Sequence, residues 1–348
     1  MIIRAPILTR PLFRQYSTTP SNHPFLTGLV HLSNRALLSL HGPDAPKFLQ
    51  GLVTNSVPSL SPTDSLPRPF YAAFLSAPGK VLHDVFIYPL RGEDGEPQFF
   101  IEVHAAGIGQ LTKHLRKHKL RSKFSIRTVD KEELCVWSAW GSNRPRIPGP
   151  REDTKIEHFD TRSPSFGHRI LSPFIPDASD PLDNYTAHRY FHGIPEGQAE
   201  IPHDEALPMN NNMDLMGGID FTKGCYLGQE LTIRTHHTGV VRRRVLPLRF
   251  HGDEKTLEGV QAGMDIKKDD ARGRVSGKVL GRVGDLGLGL VRLEVMTDLP
   301  VSAEGSKWRE EDKFMVETEG GGKVGVEAVV GPWMRTNIAT PRKDRRVG

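Results

Sequence analysis

The sequence predicts an α+β protein of two or three structural units that ends in a small antiparallel β-barrel. Three observations carry this. A chain of 348 residues is long enough for two or three domains. Residues 37–130 alternate strand and helix patterns in a legible order. Past Val240, helical periodicity gives way to short apolar runs separated by glycines, as in a barrel.

In chain order, residues 37–40 read as a short strand. Asp44 then opens a helix with its carboxylate at a capping position, burying Phe48, Leu49, Leu52 and Val53. Residues 70–75 and 81–90 are strands joined by a turn at 76–79, and 99–103 is another strand. A basic helix over 109–120 turns Leu111 and Leu115 inward, and a strand over 124–129 closes the unit. We read 37–130 as a ferredoxin-like β-α-β-β-α-β motif. Residues 131–238 form a second α+β unit with strands at 134–140 and 168–171 and a helix at 183–191. The stretches 143–150 and 163–181 are rich in proline and polar residues, hence loops. The run 202–216, with asparagines at 210–212, is a long loop of the kind that often carries function. In the last unit, 239–348, strands are expected at 245–250, 265–267, 275–279, 287–293 and 314–317, with a charged flexible loop at 298–323.

Charge and cysteine content narrow the function. The formal net charge is +5, and Arg4, Arg10 and Arg14 supply three of those charges within residues 1–23, leaving +2 for the rest. No acid precedes Asp44. An arginine-rich, acid-free start reads as a mitochondrial transit peptide, with a processing site after Tyr16, and predicts the mitochondrial matrix. The near-balanced remainder argues against a nucleic-acid partner, and no stretch is apolar enough for a membrane span. Arg242, Arg243 and Arg244 could bind an acidic ligand tail or partner surface, or form a solvated turn; the basic run 342–346 reads as a solvated tail. Two cysteines exclude a disulfide framework and fit a reducing compartment. Cys135 lies in an apolar strand-like run and reads as core.

Cys225 stands in Lys223-Gly-Cys-Tyr-Leu-Gly-Gln-Glu230. Gly224 and Gly228 allow sharp turns or positive φ. Residues from Gln229 onward read as the first turns of a helix, so Cys225 precedes a helix N-terminus beside the Lys223 ammonium. Both favour the thiolate, the form that attacks electrophiles and ligates metals. The alternative is a small buried filler, for which the surrounding Lys, Gln and Glu have no use. One cysteine cannot hold an iron–sulfur cluster, which takes about four ligands, so other ligands would come from a partner. His236 and His237 read as a polar turn before they read as ligands.

That octapeptide resembles the signature of the YgfZ-type proteins, folate-binding-like relatives of the glycine cleavage system T protein. The resemblance extends to 41–55, to 72–82 and to 189–197, and is looser around 273–277 and 287–291. It implies a three-domain ring around a central cleft, whose first domain (24–36 and 131–238) is interrupted by the 37–130 unit. With the transit peptide, the chain resembles the mitochondrial iron–sulfur cluster assembly branch of the family. The implied function is maturation of 4Fe–4S proteins, with A-type scaffold proteins and client apoproteins as partners. In that reading Cys225 supplies one ligand to a transient shared cluster, Lys223 holds the thiolate, and Gln229 and Glu230 order the loop. The alternative is a tetrahydrofolate-dependent one-carbon transferase with Asp84 as base. There the T protein's Asp-Asp pair is replaced by His83-Asp84, which weakens the transfer. A bound tetrahydrofolate would draw on Asn55, Asp84 and Glu196 for the pterin and on Arg189 and Arg234 for its glutamate tail.

Overall fold

The computed structural model describes residues 27–60, 65–141, 156–173 and 179–338. The expected transit peptide (1–23), the loop at 143–150 and the basic run 342–346 lie outside the described residues.

Two short strands near the start of the described chain enter different sheets. Gly28–His31 (β1) pairs antiparallel with Cys135–Trp140 (β7), Leu29 facing Ala139. With Ile156–Phe159 (β8) and His168–Ser172 (β9) they form a four-stranded sheet of order β1-β7-β9-β8. β7 is buried along its whole length, so its sequence is continuously apolar rather than alternating. Cys135 is core, its thiol donating to the Lys131 carbonyl at 2.9 Å. Leu182–His192 (α3) covers this sheet, its His188 ring stacked on Trp140 at 4.4 Å.

Arg35–His41 (β2) instead joins Phe70–Leu75 (β3), Val81–Arg91 (β4), Pro97–His104 (β5) and Ser125–Val129 (β6). The order is β3-β4-β5-β2-β6, with every neighbour antiparallel. The five strands are those read from the sequence, but no pair of them is parallel, which corrects the ferredoxin-like β-α-β-β-α-β motif assigned to them. The chain doubles back at 76–80 and again at 92–96, and short turns oblige antiparallel pairing. β5 therefore takes the place beside β2 that a parallel strand would hold. Alternation divides the two faces. Phe74, Val85 and Ile101 pack under Ala45–Gln50 (α1) and Ile108–Lys119 (α2), while Tyr71, Phe86 and Tyr88 face the first sheet.

A closed barrel ends the chain, in the order Arg243–His251 (β10), Leu286–Arg292 (β13), Val275–Val283 (β12), Asp265–Lys268 (β11), Phe314–Glu317 (β14) and Lys323–Ala328 (β15). β15 closes on β10, Leu248 opposite Ala328. It was not expected, because only Val324 and Val326 mark it within a glycine-rich stretch. Nor is 298–323 a flexible loop, since Leu299 and Val301 are buried in the barrel core. In β13, a Cβ on Gly287 would lie 2.4 Å from the Phe250 ring, so glycine there lets β10 keep its large side chain.

Candidate functional site

The cysteine octapeptide lies against the five-stranded unit. Gln229–Thr238 (α4) follows it, and Gly228 before the helix has φ +80°. A Cβ on Gly228 would lie 2.3 Å from the Ser76 carbonyl oxygen, and one on Gly79 would lie 2.9 Å from the Gly228 oxygen. Backbone of the β3–β4 turn and backbone of the octapeptide thus meet without side chains between them. The Leu227 N–H donates to the Gly51 carbonyl at 3.0 Å, and Gln229 Oε1 accepts the Tyr226 N–H at 3.1 Å. Gln229 thereby closes the turn that precedes α4. Gly224 meets nothing within 4 Å of its would-be Cβ, so only Gly228 of the two glycines is required by close approach.

Lys223 differs from its expected role. Its Nζ donates to the carbonyls of Gln50 (2.9 Å), Val53 (2.7 Å) and Asn55 (2.8 Å), not to the thiol. Side chains two residues apart can serve different partners, and the last residue of α1 with the turn after it offers three carbonyls to the ammonium. Burial pulls the ammonium down to about 8, with Asp220 opposing the shift. Asp220 is itself held near 2 by the Ser56 hydroxyl and by the Thr222 hydroxyl and N–H. This carbonyl cradle and Ser56–Asp220 contact were missed, because the partners lie far away in the chain.

Cys225 is exposed. Among the described residues, no group of three or more His, Cys, Asp or Glu is placed to hold a metal ion. His236 stacks on Phe221 at 3.7 Å, which folds the end of α4 back onto the loop that carries Cys225. Glu230 points to solvent, 91% exposed, 4.0 Å from Arg234 one helical turn on, so it does not order the loop.

The residues nominated for folate do not converge. Asn55 Nδ2 donates to the carbonyls of Gly217 (2.8 Å) and Tyr71 (3.0 Å) and serves the loop. Arg189 is buried, forked onto Glu200 at 2.7 and 2.9 Å. Arg234 sits on α4 with Glu230. Glu196 lies in a buried cluster, accepting from Arg162 (2.7 Å), Tyr185 (2.7 Å) and Arg169 (3.2 Å); burial would raise its carboxyl, but these arginines with Arg35 and Arg189 hold it well below the usual range. In the same cluster Glu102 accepts from Arg35 (2.6 Å), Tyr88 (2.6 Å) and Arg169, and arginines overcome burial to hold it at about 2. Asp84, the base of the transferase reading, is 3% exposed; Oδ1 accepts the Gly197 N–H at 3.1 Å and Oδ2 is 3.5 Å from Arg35. Asp84 Oδ2, Tyr71 OH and Glu196 Oε1 have no hydrogen-bond partner and essentially no surface that water could touch. Of the two cations nominated for the tail, Arg189 is committed to Glu200, while Arg234 is 65% exposed on α4. His83, at the first position of the pair, is buried, and burial with the neighbouring His203 and His114 lowers it to about 3.

Arg244 is drawn inward to Asp214 at 2.8 Å, so of the three basic residues only Arg242 and Arg243 are exposed. No helix among the described residues is long and apolar enough to cross a membrane.

Comparison with known proteins gives three kinds of likeness. Residues 242–335 match the family described as CAF17, C-terminal beta-barrel domain. The chain is 42% identical to the iron-sulfur cluster assembly factor IBA57 homolog, mitochondrial, of Coccidioides immitis, over 89% of this chain and 84% of that one. The homologues of the same name from Pyricularia oryzae (42%; 90% and 86% covered) and Aspergillus fumigatus (39%; 93% and 85%) are similarly related. Among solved structures, the glycine cleavage system aminomethyltransferase T from Bartonella henselae superposes with a TM-score of 0.63 over 89% of this chain and 86% of that chain. At 14% identity that likeness shows the fold, and with the closed barrel it bears out the expected T-protein architecture.

Proposed function

This chain belongs to the IBA57 family of mitochondrial iron–sulfur cluster assembly factors, and we propose that it assists cluster assembly through Cys225. The carrying observation is an exposed thiol on a loop fixed to two other segments of the chain, with no group of three or more His, Cys, Asp or Glu placed to hold a metal ion among the described residues. A single thiolate supplies one of about four ligands to a cluster. The cluster is therefore cargo, bound between this protein and a partner that contributes the remaining ligands. The partner is an A-type scaffold protein, the recipients are 4Fe–4S apoproteins, and the place is the mitochondrial matrix. Lys223 acts as a positioning residue by anchoring the loop, and Gln229 fixes the turn that presents the thiol.

A titration of a cluster-loaded A-type scaffold with the protein, followed by visible absorption and circular dichroism, tests this. Wild type is expected to change the cluster spectrum and form a stoichiometric complex, while Cys225→Ala leaves the spectrum unchanged. Identical traces from both proteins would sink ligation by Cys225. The tetrahydrofolate-dependent transferase reading lacks support from Asp84, which is sealed against substrate.

A further inference from the structure

A second surface has no role in that reading. Between Glu102 and Asp130 the chain contains no acid. α2 buries Leu111 and Leu115, which turns Lys113, Arg116 and Lys117 outward on one face, at positions i, i+3 and i+4. Leu120, at i+7, prolongs this stripe. It is 87% exposed, with φ +46° and ψ −115°, a backbone region that is costly for a bulky residue. Folding gains nothing from an exposed leucine in a strained backbone. Arg121 and Lys123 follow it, also exposed. Beside them opens a hollow of about 680 Å³, walled by Leu120, Arg121 and Ser122 on one side and Lys47 and Phe48 on the other. Asp44 is the single acid lining it, with Oδ2 taking the Lys123 N–H at 2.6 Å. Among the described residues, Lys113, Arg116, Lys117 and Arg121 make no ion pair.

We propose that this face docks on an anionic lipid bilayer, with the cations against the headgroups and Leu120 inserted between them. Interfacial anchors combine a cationic face with an apolar tip. A protein partner would need a matching pocket for a lone leucine ringed by cations, whereas a bilayer accepts it anywhere. Each cation near such a surface is worth about fivefold in affinity. The proposal is independent of Cys225 and places cluster cargo near a membrane without a spanning helix.

The test uses the full chain and sedimentation with vesicles of phosphatidylcholine alone or an equal mixture with phosphatidylglycerol. Wild type is expected to pellet only with the anionic vesicles and to be released by molar salt. The combined Lys113→Gln, Arg116→Gln, Lys117→Gln variant should bind about 100-fold more weakly. Leu120→Gly should bind about tenfold more weakly while its thermal midpoint holds or rises, since glycine accepts the backbone angles. The proposal is overturned if wild type ignores anionic vesicles, or if the triple variant still pellets, which would assign binding to the basic termini. It is also overturned if polyglutamate binds as tightly as vesicles and Leu120→Gly has no effect, which would assign the face to an acidic protein.

Discussion

Lys223 and Glu102 each join the five-stranded unit to the rest of the chain, but through different chemistry. Glu102 is fully sealed and meets the Arg35 and Arg169 guanidiniums and the Tyr88 hydroxyl. Lys223 is half-buried and meets three carbonyl dipoles and the face of the Tyr226 ring, 4.9 Å away. Formal charges hold the first junction so firmly that its carboxyl stays near 2. Burial without a formal charge in contact lets the second drift to about 8. The sealed junction fixes how the units sit; the open one holds a loop in place while leaving its neighbour, Cys225, exposed.

The comparison predicts a graded series. Arg169→Ala should be the most damaging, costing about 3–5 kcal/mol in urea unfolding, because it leaves buried Glu102 with Arg35 and buried Glu196 with Arg162 as the one guanidinium in contact with each. A loss below about 1 kcal/mol would show that the cluster is not sealed as described. Gly228→Ala should cost about 2–4 kcal/mol, from its positive φ and its contact with the Ser76 carbonyl. Lys223→Met should cost about 1–3 kcal/mol by leaving three carbonyls unpaired, and hydrogen exchange at Leu227 should quicken. If instead Leu227 exchanges as in wild type, Lys223 does not anchor the loop. Cys225→Ala should stay within about 0.5 kcal/mol of wild type while cluster handling is lost.

Acid should separate the groups further. The depressed Glu102 carboxyl contributes stability that is complete above 4.5, its unfolded value, and lost as pH falls through about 2. His83, lowered to about 3, stays neutral in the fold while the unfolded chain binds a proton below 6.5, so its contribution is lost as pH falls from 6.5 toward 3. Urea midpoints measured against pH should therefore decline in two stages, and His83→Gln should shrink the upper one, to which His114, lowered by burial to about 4, also contributes.

What the sequence disclosed follows from how local each signal was. Helix α2, strand β7 and the barrel's start showed in periodicity within a dozen residues. The need for Gly228 showed in one octapeptide. Lys223 misled because adjacency in sequence suggested a thiol partner, whereas its carbonyls lie on a turn 168 to 173 residues away. Arg189 and Glu196 misled for a related reason: residue type marks a charge but not the opposite charge that neutralises it. All five strands of the 37–130 unit were read, but their pairing was not, because the four-strand motif assigned to them carries a parallel pair that the turns at 76–80 and 92–96 do not allow.

The meeting of Gly79 with Gly228 also sets a timetable. The floor under Cys225 comes from segments laid down long before the octapeptide, and such distant contacts form late because a large loop must close first. A chain caught partway through folding would already carry the thiol but not its mounting. Presentation of the cysteine thus reports that two units have finished and locked together, which ties readiness for metal chemistry to maturity of the polypeptide itself.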